Sequence, residues 1–77
     1  MRIISQDNGK DFPYEMCTIW IFKNKIFALP IGEPETEALM AEYSNREKPK
    51  KAMRMLQNCY QGALPNTIFR FPTDDEI

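Results

Sequence analysis

Residues 16 to 29, MCTIWIFKNKIFAL, place two runs of aliphatic and aromatic residues on either side of a Lys-Asn pair. Neither run contains Gly or Pro, and such residues suit a pleated, half-buried surface. The segment predicts a strand over residues 16–22, a tight turn at Lys23-Asn24 and a returning strand over Lys25–Leu29. Cys17, Ile19 and Ile21 share one face of the first strand, and Thr18, Trp20 and Phe22 share the other. Both faces are apolar. That pattern asks for a central strand covered twice, or for a strand covered by a second subunit.

The remaining elements are arranged around this pair. Arg2–Gln6 reads as a strand, and Asn8-Gly9 predicts a type I′ turn with positive φ at both central residues. Asp11-Phe12 is held extended by Pro13, whose missing N–H ends the returning arm early. Residues 30–38 read as loop, and residues 39–44, LMAEYS, as a further strand. Ser44 and Glu47 fit a capping box that starts a helix near Asn45. Pro49 opposes that start and favours one near Lys48. Ala52, Met55, Leu56, Cys59 and Tyr60 recur at helical spacing as the expected buried stripe, and Gly62 closes the helix. Residues 66–71 predict a last strand, followed by a polar tail. The expected architecture is a single α+β domain over residues 1–77. In it, a small antiparallel sheet of four to five strands carries one main helix, at about residues 46–61.

The chain has 77 residues, no histidine and two cysteines. A core of this size usually needs a supplement, and a structural zinc site lacks its ligands. Oligomerisation is the most economical supplement, so a homo-oligomer is expected. With ten basic and eleven acidic residues and a net charge of −1, stable DNA or RNA binding is not expected. The longest apolar run, Met16–Phe22, is too short to cross a bilayer, and the opening residues lack an apolar signal region. Cys17 and Cys59 read as reduced thiols of a cytoplasmic protein.

Four features bear on function. Arg46, Lys48, Lys50, Lys51 and Arg54 gather at the predicted helix start, where they suit a phosphate or pair with the glutamates at 33, 35 and 37. Nine aromatic residues supply either core bulk or a stacking surface, and Trp20 is the best candidate for the second role. Arg70, between Phe69 and Phe71, either clamps a phosphate or pairs with the tail acids. Asp7 and Asp11 imitate an acid/base pair, but no histidine, metal motif or serine nucleophile accompanies them. No enzyme activity, cofactor or metal is expected.

The stretches MRIISQD, DFPYE, AEYS, KAMRML and FRFPTDDEI together resemble a family of small proteins from Firmicutes, related bacteria and their phages. This chain departs from that pattern at Asn8 before the glycine. It also has GALPN where longer relatives carry an insertion. The layout also looks like that of phage anti-Thoeris signal-sponge proteins. That resemblance implies an oligomeric non-enzyme of the host bacterial cytoplasm. Such a protein sequesters a small cyclic nucleotide or cyclic ADP-ribose-like immune signal between subunits, with anions on Arg or Lys and bases on aromatic rings. Under this reading Arg70, Arg54, Lys51 and Arg2 are the expected anion contacts, and Trp20 or Tyr14 the stacking surface. The alternatives are an anti-CRISPR-like inhibitor of a host protein, using the acidic segments 33–37 and 74–76 to mimic nucleic acid, and an accessory protein with no ligand.

Overall fold

The computed structural model describes residues 1–32 and 37–77. In chain order it contains β1 (Arg2–Ile4), β2 (Asp11–Pro13), β3 (Cys17–Phe22), β4 (Lys25–Pro30), β5 (Ala38–Glu42), α1 (Glu47–Gln61) and β6 (Ile68–Arg70). Single turns of 3-10 helix occupy Tyr14–Met16 and Asp74–Glu76. The class is α+β, as the sequence predicts, but the sheet is divided. In place of one antiparallel sheet there are two sheets of three strands, ordered β2-β1-β6 and β3-β4-β5. β1 is antiparallel to β2 and parallel to β6. A parallel pairing needs a long crossover. The chain between β1 and β6 supplies it, so β6 completes the first sheet and leaves the β3-β4-β5 meander separate.

Local geometry corrects several expectations. Asn8 has φ 63°, whereas Gly9 is not at positive φ, so the first turn is not type I′. It is a longer loop in which Asn8 N–H donates to Ser5 O and Ser5 N–H to Lys10 O. Asp7 stabilises this loop by accepting from Ser5 Oγ (2.5 Å) and Gly9 N–H (2.9 Å). It therefore serves the turn, while Asp11 bonds Arg2, and the two carboxylates do not form a pair.

Helix α1 begins at Glu47, between the two predicted starts. Its cap is Asn45, whose Oδ1 accepts from the N–H groups of Glu47 (2.9 Å) and Lys48 (3.0 Å). Ser44 and Glu47 form no capping box. Pro49 falls in the first turn, where the missing N–H has no helical partner to lose. The buried face is Pro49, Ala52 and Leu56. Met55 and Tyr60, placed in the stripe by spacing, are exposed. Gly62 ends the helix at φ −108° rather than in a left-handed conformation, and its N–H turns back to Cys59 O.

The core is one cluster drawn from both sheets and the helix. It includes Ile3, Ile26, Ala28, Met40, Ala41, Tyr43, Ala52, Leu56, Phe69 and Phe71. A bulge opposite Ile26/Phe27 lets both Met40 and Ala41 face inward. Pro72 O fastens the end of the chain to this core by accepting from Tyr43 Oη (2.8 Å) and Gln6 Nε2 (3.0 Å). Cys17 and Cys59 are free thiols. Among the described residues, no helix is long and apolar enough to cross a membrane.

Candidate functional site

β3 is not central: among the described residues it is an edge strand of its sheet. Its inner residues Cys17, Ile19 and Ile21 pack on the core. Among the described residues, none packs over the outer face. The two-residue turn sets Phe22 opposite Lys25 and therefore Trp20 opposite Phe27, and Phe27 in turn pairs with Leu39. These three side chains make one apolar row across the sheet. The Trp20 and Phe27 rings stack with centroids 5.9 Å apart and planes 23° apart, a separation in the range of favourable offset pairs.

Beside that row lies a concavity of about 330 Å³ lined by Trp20, Phe22, Lys25, Phe27 and Glu37. Phe22 is 55% exposed and Leu39 37%, so the patch is a surface and not a buried cluster. Lys23 Nζ lies 5.3 Å from the Phe22 ring centroid, within cation–π range. The chemistry on offer is therefore a flat π surface, the ammonium groups of Lys25 and Lys23, and the Glu37 carboxylate. A larger concavity of about 500 Å³, lined by Met1, Glu15, Tyr60, Ala63, Leu64 and Pro65, offers less, because Glu15 already accepts from the Met1 amine.

The six expected site residues are dispersed. Trp20 stands on the face just described. Tyr14 is on another surface, tilted against Tyr60 with centroids 4.7 Å apart. Arg2 and Arg70 share the outer face of the β2-β1-β6 sheet, because Ile4 pairs with Arg70 and alternation brings Arg2 to the same side. Each is held by a carboxylate. Arg2 makes a two-pronged contact with Asp11, which raises the guanidinium pKa through the hydrogen bond and the opposite charge. Arg70 lies 3.7 Å from Glu76. Lys51 and Arg54 are exposed positions of α1. None of these four basic residues lines either concavity.

The basic cluster is partly neutralised from within. Lys48 Nζ donates to Asp74 O (2.7 Å) and lies 3.3 Å from its carboxylate, and Lys50 lies 3.7 Å from Glu47. The glutamates at 33 and 35, named as partners from the sequence, lie outside the described residues. Asp74 also accepts from Ser44 N–H (2.8 Å), which, with Lys48, holds its carboxyl below the usual range. Glu76 accepts from Thr73 N–H (2.7 Å) and is lowered in the same way. Two of the three tail acids thus serve the fold. Among the described residues, no three Cys, Asp or Glu side chains gather as a metal site.

Sequence reasoning missed Phe27, Lys25 and Leu39 as companions of Trp20. Counting outward from the Lys23-Asn24 turn gives the Trp20–Phe27 pair directly. Leu39 depends on the bulge, for which the sequence carries no signal. Comparison with protein-family models, with curated proteins and with solved structures finds no match. The site stands on its geometry.

Proposed function

We propose that this protein is a binding protein without turnover, which captures a small nucleotide-type signal on the aromatic face of the β3-β4-β5 sheet. The observation that carries this reading is the Trp20–Phe27 stack at the edge of an open concavity with Lys25 beside it. Base stacking on an aromatic side chain contributes about 1–3 kcal/mol, and the Lys25 ammonium, which shares the concavity with the Glu37 carboxylate, is the group there that suits a phosphate. Arg2 and Arg70, engaged by Asp11 and Glu76 on the other sheet, take no part in this site. With the motif resemblance, this reading favours a phage-type anti-defence sponge acting in a bacterial cytoplasm. Engagement of Asp74 and Glu76 within the fold weakens the rival reading of an acidic nucleic-acid mimic.

Native mass spectrometry against cyclic di- and trinucleotides and cyclic ADP-ribose isomers tests the proposal, with Trp20 fluorescence as a second readout. Trp20 is the only tryptophan, so its emission reports the site without labels. The expected result is a discrete ligand mass with quenched emission, lost in Trp20→Ala and retained in Arg70→Ala. Loss in Arg70→Ala with retention in Trp20→Ala would move the site to β6. A ligand-free protein across the whole panel would turn the reading to a protein partner.

A further inference from the structure

The two sheets have four edges, and three carry recognisable protection. β2 and β6 are three residues long; β2 contains Asp11 and Pro13, and β6 ends in Arg70 two residues before Pro72. Short, charged or proline-bearing edges resist further pairing. The free edge of β5 is occupied by Gln6, whose N–H donates to Met40 O (2.7 Å) and whose Oε1 accepts from Glu42 N–H (3.0 Å).

β3 has none of these devices. It is six residues long, CTIWIF, with no charge, no proline and an unbroken register against β4. The turn pairs Phe22 with Lys25, and Ile31 N–H donates to Met16 O at the other end. Positions 16, 18, 20 and 22 therefore bond to β4, and alternation directs the N–H and C=O groups of Ile19 and Ile21 to the opposite side. Among the described residues, no side chain or backbone group bonds them there. An open, uncharged apolar edge of this length is a template for one more strand.

We propose that the β3 edge pairs antiparallel with the β3 edge of a second copy of this chain. Self-pairing brings no like charges together within the strand, because β3 has none. Its flanks are complementary in that orientation only. Glu15 lies before β3 and Lys23 after it, both exposed; the Glu15 carboxylate accepts from the Met1 amine but keeps an exposed side, so antiparallel pairing sets it near the basic end of the other copy. A two-fold axis closes the contact, as isologous interfaces do. The two outer faces become neighbours in one six-stranded sheet, and Trp20 of each copy stands beside the junction. This interface is separate from the nucleotide reading, and its test contains no ligand.

The mass of the ligand-free protein is followed by analytical ultracentrifugation across a dilution series, with amide hydrogen exchange at both ends of the series. A species of twice the chain mass is expected. The Ile19 and Ile21 amides should be protected in it and become fast-exchanging on dilution, while the Trp20 and Phe22 amides stay protected throughout. Thr18→Glu places a charge in the pairing strand at an exposed position and should weaken assembly at least about tenfold, the equivalent of about 1.4 kcal/mol. An unchanged circular dichroism melt shows that this variant remains folded. A single-chain mass at every concentration would overturn the proposal. So would an oligomer in which the Ile19 and Ile21 amides exchange freely, or a β3 edge that accepts only a peptide from another protein.

Discussion

Tyr43 is 3% exposed, yet its hydroxyl is satisfied through Pro72 O. Burial, reinforced by the negative charges of Asp74 and Glu76, pushes its pKa from 10.0 to about 12. The native state thus holds this proton more tightly than the unfolded chain does. The resulting stability is complete below about pH 10 and declines as pH rises towards about 12. Tyr43→Phe removes the hydroxyl while leaving Gln6 on Pro72 O, so it should cost about 0.5–1.5 kcal/mol at neutral pH. It should also flatten the loss of stability between pH 10 and 12, read as urea midpoints across that range. A variant that keeps the full alkaline slope would place its origin elsewhere. Only the fold makes this tyrosine special, since nothing in AEYS distinguishes a core tyrosine from a stacking one.

For the elements, local signals located the segments more reliably than their roles. The helix was legible because its spacing and its flanking polar residues agree, but the capping residue was misread. Ser44 spends its N–H on Asp74, and Asn45 takes the cap. Asn45→Ala should therefore cost about 1 kcal/mol of thermal or urea stability, whereas Ser44→Ala should cost less. The reverse order would restore the predicted capping box. The buried stripe is rotated away from Met55 and Tyr60 because the helix packs through Pro49, Ala52 and Leu56. Spacing defines which residues share a face, but the partner surface decides which face is covered.

At the scale of the whole molecule, a few hydrogen bonds join the two sheets beside their shared core. Gln6 contributes several: its backbone and side chain bond β5, and its amide donates to Pro72 O beside the Tyr43 hydroxyl. Gln6→Ala keeps the backbone bond and loses the two side-chain bonds. It should cost about 1–3 kcal/mol, at roughly 0.5–1.5 per bond, and should raise amide exchange at Glu42 more than at Trp20 or Phe22. Equal exchange at these sites would mean that the sheets do not depend on this side chain. A radius of gyration of 11.6 Å is close to the roughly 11.5 Å expected for a compact chain of this length, in keeping with one shared core.

By itself the sequence determined the α+β class, the paired strands around Lys23-Asn24, the helix and its limits to within about two residues, and the terminal strand. Each of these rests on interactions among near neighbours: alternation, helical spacing, turn and breaker residues. The tertiary structure alone decided that there are two sheets, because the parallel β1–β6 pairing joins residues far apart in sequence and leaves no local pattern. It also decided that Arg2 and Arg70 are held by Asp11 and Glu76, and that β3 lies at an edge, with its aromatic face uncovered among the described residues. The apolar pattern of β3 required a cover for both faces. Only the packing shows that the core covers the face of Cys17, Ile19 and Ile21.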